Sequence, residues 1–348
     1  LNVLTWEANE VSTRAKELIA VLCVLVVCAA LYIAKLSGWG GLQLSTGVSL
    51  VVIGLLALSL IWILIRTVRG HLVDRRVVFL YVGIAVALPF LLNITQKIQI
   101  SPEVRAVYDD VEQLKPGSKV LVSFDYDPPS APELQPMAEA FLRQCFERDL
   151  KVIIMGLWPQ GPQQANLALQ TIMQLPEIAK KNLQYGVDYV NLGFQAGNEF
   201  VIQRMGADFK SMFPTDVRGV SYDDIPLVKN VKNFSNIDYS FNLSAGYPGT
   251  KEWVQVAVDR YGLKLGAGNT AVQAPMIYPY YRAGQLRGVL GGMNGGAEYE
   301  LLTDYAGKAT TFMNSQSFAH VVVIAFIIIG NAAYFTDRWR KQKRVNQS

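Results

Sequence analysis

Two carboxylates set two residues apart, Asp125 and Asp127, follow a short apolar run, Lys119 to Phe124. A strand that ends in Asp-x-Asp can present one carboxylate as a nucleophile and the other as a proton carrier, and the pair can share a Mg²⁺ ion, which prefers carboxylate and water oxygens. The same residues can instead cap the next helix or face water. Three further loops follow apolar runs: Gly156 to Gly161 with Trp158, Gly193 to Glu199 with Asn198 and Glu199, and Ser244 to Thr250 with Tyr247. The glycine-rich Gly266-Ala-Gly-Asn269-Thr270 is a fifth loop of this kind. In an open parallel sheet, ligands bind beyond the carboxyl ends of the strands. Asp125, Asp127, Trp158, Asn198, Glu199, Tyr247, Asn269 and Thr270 are therefore the candidate ligand or metal crevice, with the metal unspecified. The tyrosine-rich run with Tyr278, Tyr280 and Tyr281, and Met293 after it, is a candidate contact surface, weighed against ordinary core packing.

Asp-x-Asp after a strand resembles the first motif of the haloacid-dehalogenase-like phosphatases, in which the first Asp is the nucleophile and the second a general acid-base. Here Pro128-Pro129 follows where that family places Thr or Val, and no downstream lysine answers to it. A metal-dependent hydrolase is accordingly the least favoured reading. Much other chemistry is excluded by composition. The chain has two histidines, His71 and His320, both beside apolar segments, so its polar middle holds none. Ser-His-Asp and Cys-His catalysis and histidine-ligated zinc are ruled out there. Three cysteines, Cys23, Cys28 and Cys145, make no disulfide framework or Cys-x-x-Cys site. Gly-x-Gly-x-x-Gly after a first strand, a P-loop and a Gly-x-Ser-x-Gly elbow are all missing, and no cofactor is expected.

The elements that must position these loops read as strands alternating with helices. Strands are expected at Lys119 to Phe124, Lys151 to Met155, Asp188 to Leu192, Ile237 to Leu243, Lys264 to Gly266 and Gly288 to Leu290. Helices are expected at Ile100 to Leu114, Glu133 to Asp149, Gln163 to Met173, Phe194 to Met205, Thr250 to Tyr261 and Ala271 to Ala283. This alternation predicts an α/β fold, a Rossmann-like, mostly parallel sheet sandwich inserted between transmembrane helices. Pro214 to Asn236 reads as a polar excursion over the sheet edge with few apolar anchors.

Mean hydropathy is +0.21 and the apolar excess is uneven. Four runs reach the ~20 apolar residues that cross a bilayer: Leu18 to Leu36, Gly47 to Ile65, Val77 to Ile94 and Phe318 to Phe335. Three are N-terminal and one C-terminal. Arginines at 66, 69, 75 and 76 and the basic tail from Arg338 to Arg344 place those loops in the cytoplasm. The expected organisation is residues 1–96 with three spans, an extracytoplasmic α/β domain at 97–317, and a fourth span with a basic cytoplasmic tail at 318–348. Both termini are cytoplasmic, and no cleavable signal peptide is expected. A net charge of +4, clustered beside apolar runs, gives no nucleic-acid footprint.

The runs Val122 to Met137, Ser244 to Trp253 and Gly291 to Glu300 resemble a family of bacterial integral-membrane proteins with an extramembrane α/β domain. That resemblance implies a bacterial inner-membrane setting and a shared architecture, and it brings no activity. The expected function is a membrane-anchored structural or assembly subunit, leaning away from an enzyme. Its partners are the lipid bilayer and homo- or hetero-oligomeric membrane proteins. The alternative is an extracytoplasmic domain that binds or senses a small ligand.

Overall fold

Six strands alternate with helices because their sequences alternate. Short β-branched runs prefer the pleated sheet, and the stretches between them carry a 3.6-residue apolar stripe. A computed structural model of the chain describes residues 46–69, 74–92, 98–305 and 307–345. The expected first span, Leu18 to Leu36, with Cys23 and Cys28, lies outside them, as does His71. The chain divides into two units, Lys97–Met313 and a second made of Leu1–Gln96 with Asn314–Ser348.

In the Lys97–Met313 unit the strands are β1 (Lys119–Asp125), β2 (Lys151–Gly156), β3 (Tyr189–Phe194), β4 (Tyr239–Ser244), β5 (Leu265–Asn269) and β6 (Gly288–Gly291). They form one sheet in the order β3-β2-β1-β4-β5-β6, and every pair is parallel. This is the doubly wound order, with its switch point between β1 and β4. There Asp125 lies opposite Ser244, and Ser123 opposite Asn242.

Successive side chains on a strand point to opposite faces. Val120, Val122 and Phe124 join one core with Phe241, Leu243 and the inner sides of two helices, Ala131–Glu147 and Gly161–Met173. Phe141 stacks on Phe241 in that core, with ring centroids 4.1 Å apart. Leu121, Ile153, Met155, Val190 and Leu265 join the second core, where the helix Glu199–Met205 and the helical stretch 250–261 pack. That stretch runs Thr250–Trp253, a π-turn at Val254–Val258, and Asp259–Tyr261.

Two expectations need correction. The expected strand Lys264 to Gly266 does not give way to a loop; β5 runs on through Gly268 to Asn269. Glycine is required there by close approach, since a Cβ on Gly266 would meet the Tyr239 hydroxyl at 2.4 Å and one on Gly268 would meet Leu243 at 2.9 Å. The excursion Pro214 to Asn236 has apolar anchors, for Tyr222, Ile225, Leu227, Val228, Val231 and Phe234 are all buried in the second core. Beyond β6 the chain forms a further helix, Gly292–Leu302, whose Gly295, Gly296 and Tyr299 are buried.

Glu300 of that helix accepts from the backbone N–H groups of Ala309 and Thr310 at 2.8 Å and from the Thr310 hydroxyl at 2.7 Å. It thereby satisfies donors that the first turn of the next helix, Lys308–Val345, would leave orphaned.

In the other unit, helices Thr46–Val68 and Arg75–Leu92 cover most of the expected second and third spans, and Lys308–Val345 contains the fourth. Leu60, Ala85 and Val322 bury one another, and Tyr81 meets Phe326 edge-on at 5.7 Å. Among the described residues one helix, Lys308–Arg340, is long and apolar enough to cross a membrane, and Gly54–Val68 is a shorter apolar helix.

A Cβ on Gly161, at the start of its helix, would lie 1.9 Å from the Phe124 carbonyl oxygen. Gly161→Ala must push the helix off β1. It is expected to lower unfolding free energy by about 1–3 kcal/mol, measured by urea denaturation of the 97–313 region within the intact chain.

Candidate functional site

The carboxyl end of the sheet is built from a polar stripe on one face. Leu121, Ser123 and Asp125 alternate along β1, and Ser240, Asn242 and Ser244 along β4. Leu265, Ala267 and Asn269 follow the same rule on β5. Deep in the sheet these positions are apolar or small. At the switch point they are polar, and all are buried.

Asp125 is 0% exposed and is the hub. Its oxygens accept from the Ser123 hydroxyl at 2.8 Å, the Leu157 backbone N–H at 2.7 Å, the Asn242 amide at 2.6 Å and the Trp253 indole N–H at 2.9 Å. Four donors match the roughly four lone-pair directions of a carboxylate. A cation or a phosphorus centre would have to displace one of them. Trp253 is itself buried, and the gap beside it, lined by Ser123, Ser240 and Asn242, is too small to admit water.

The network runs on. The Thr250 hydroxyl donates to Asn242 Oδ1 at 2.6 Å, and the Asn269 amide donates to the Thr250 hydroxyl at 2.8 Å. Asn269 Oδ1, also buried, ends the chain without a hydrogen-bond partner among the described residues. Thr270 is buried, and its carbonyl accepts the N–H groups of Gln273 and Ala274 at the start of the helix Ala274–Arg282.

The remaining crevice residues lie further out and fasten the loops to one another. Trp158 donates from its indole to the Pro248 carbonyl at 2.8 Å and packs under Gly246, where a Cβ would meet its ring at 3.0 Å. The Tyr247 hydroxyl donates to Glu199 at 2.9 Å, and the Asn198 amide reaches that hydroxyl at 3.4 Å. Asn198 holds φ at +51°, after Gly197 at +131°. Asp127 is half-buried and accepts from the Ser130 hydroxyl at 3.0 Å, so it fastens its own turn.

The eight expected crevice residues thus fall into two sets. Asp125, Asn269 and Thr270 are interior. Trp158, Asn198, Glu199 and Tyr247 form a latch across the loops after β2, β3 and β4. Asp127 joins neither. Tyr278, Tyr280 and Tyr281 are half-buried and pack against the second core, and Met293 is half-buried. Met276, which was not singled out, is exposed in that region, at 62%. Reasoning from sequence missed Ser123, Asn242, Thr250 and Trp253. The first two had a signal, a polar residue at every second position of an otherwise apolar strand.

Among the described residues no group of three or more His, Cys, Asp or Glu side chains is arranged to hold a metal ion. Comparison with protein-family models, with curated proteins and with solved structures finds no match.

Burial raises the Asp125 pKa from 3.8 to about 6, and its four donors hold it below where burial alone would leave it. The folded chain therefore binds the proton more tightly than the unfolded chain does. The penalty for ionising Asp125 is fully present above pH 6 and is relieved as pH falls from 6 toward 3.8. The slope approaches about 1.4 kcal/mol per pH unit in that window. Burial raises Glu139 and Glu300 too, in the same sense.

Asp125→Asn puts an NH₂ group among donors and strands at least one of them. It is expected to cost about 1–3 kcal/mol at pH 7. It should also flatten the pH 4–6 part of the stability profile relative to wild type, measured by denaturant melts at stepped pH.

Proposed function

We propose that this chain is a membrane-anchored structural or assembly subunit whose α/β domain makes protein contacts and performs no chemistry of its own. The observation that carries this reading is the filled switch point. Where a doubly wound sheet would open onto a ligand, Asp125 is saturated by its own chain and Trp253 occupies the space. An unpaired, water-accessible acid or nucleophile would favour catalysis instead.

The rim around the plug favours contacts. Phe200 is 56% exposed, Tyr247 60% and Val272 84%, on loops or helix starts that follow β3, β4 and β5. Aromatic and large apolar side chains held on rigid loops are what protein interfaces use at their centres. The latch of Trp158, Asn198, Glu199 and Tyr247 removes the loop entropy that binding would otherwise cost.

The anchor is the helix Lys308–Arg340, whose outward Val321, Ile324 and Ile328 are exposed as lipid-facing side chains are. The exposed Leu55, Leu58, Ile61 and Trp62 support a second membrane helix. The basic clusters support a bacterial cytoplasmic membrane with residues 97–317 outside the cytoplasm and both termini inside.

A photo-crosslinking amino acid at Phe200 is expected to join the chain to a second polypeptide in intact cells. The same group at Leu167, exposed on a different helix, is expected to give no such product. A monodisperse monomer in mild detergent, with no crosslink from Phe200, would discard the assembly role. A protease confined to the cytosol that cleaved within 97–317 would discard the orientation.

A further inference from the structure

We infer that the Asn314–Ser348 and Leu1–Gln96 unit holds a site for one anionic phospholipid. A cavity of about 790 Å³ lies at one end of the three described helices, within the range of roughly 300–1,000 Å³ usual for ligand sites. Its wall is one stripe of the long helix, Val323, Ile327 and Gly330, at the spacing that keeps residues on one face. The same lining includes the polar Thr67, Asp337 and Arg340. A lining that is mostly apolar with a few polar and charged groups fits an acyl chain and its headgroup.

Charge selects the headgroup. Arg340 donates to the Val68 carbonyl at 2.9 Å, which ties the end of the long helix to the end of Thr46–Val68. Val78 near the start of Arg75–Leu92 lines the same cavity. Arg66, Arg69, Arg75, Arg76, Arg338 and Arg340 therefore share this end, against Asp74 and Asp337. Six guanidinium groups against two carboxylates make a collar that complements a phosphate diester with no compensating ammonium. Guanidinium also bonds phosphate in bidentate fashion, which a cationic headgroup would oppose.

The site rests on the reading of these helices as membrane-embedded. The test uses the full chain in mild non-ionic detergent, with native mass spectrometry during titration by dioleoylphosphatidylglycerol or dioleoylphosphatidylcholine. The wild-type chain is expected to retain one phosphatidylglycerol at concentrations where phosphatidylcholine is not retained. Arg340→Gln should weaken phosphatidylglycerol about fivefold and leave phosphatidylcholine unchanged.

A Cβ on Gly330 meets nothing within 4 Å, so Gly330→Leu adds bulk in the cavity without a clash in the fold. It should abolish retention of the bound lipid. Equal retention of the two lipids by wild type, or full retention by Gly330→Leu, would overturn the site. So would a disulfide from Cys23 or Cys28 to the cysteine of Gly330→Cys, which would show the chain's own first apolar segment lying there. Recovery of the chain from the soluble fraction without detergent would instead defeat the membrane reading itself.

Discussion

An ionisable carboxylate at the centre of an α/β sheet is costly, and the arrangement around Asp125 is what that cost dictates. An unpaired charge in this setting would neutralise or unfold its surroundings. Asp125 instead draws one donor from its own strand, one from the loop after β2, one from β4 and one from the helical stretch after β4. Each donor lies on a different element, so the carboxylate fixes their relative positions. The loop carrying Trp158 is set by Leu157, one residue before it. The turn carrying Tyr247 lies between Asn242 and Trp253, both of which Asp125 holds. The outer latch therefore inherits its geometry from the inner hub, and the rim side chains sit on loops that are anchored from below.

The sheet was largely legible because its signals are local. All six strands were expected, and each lies within a few residues of its expected place. The parallel arrangement followed from helices between strands, since parallel neighbours need a long crossover. What failed was local reading where a non-local partner decides. The expected fifth strand stopped at Gly266, and Gly268 read as a loop residue, because glycine is poor in strands. Both glycines are strand residues because the Tyr239, Phe241 and Leu243 side chains of the neighbouring strand take the space a Cβ would fill. The segment 214–236 read as polar because its apolar residues have no helical or strand period. Tyr222 and Phe234 reach the second core from 3-10 turns, whose spacing matches neither template.

The site was legible in its residues and not in its roles. Asp125 stood out because an acid after an apolar strand is uncommon, and the switch point is where the fold places it. Whether such an acid faces water or its own chain depends on Asn242 and Trp253, more than a hundred residues away. A single sequence does not display that pairing. It does display the alternation Ser-Phe-Asn-Leu-Ser in β4, which was read as a strand without weighing its polar face. The alternate polar positions, taken together with Ser123 and Asp125, mark one face of the sheet as hydrogen-bonded at its carboxyl end.

The distribution of polar burial also bears on the division of labour in the chain. In the α/β unit, buried carboxylates serve junctions. Asp125 joins the strand ends, Glu298 accepts from both the backbone and the hydroxyl of Ser101, and Glu300 closes the first turn of the long helix. Each removes donors that segment ends would otherwise leave unsatisfied. A domain that spends its interior acids on joints gains rigidity and gives up acids that chemistry would require to be accessible. That exchange supports the contact role proposed above.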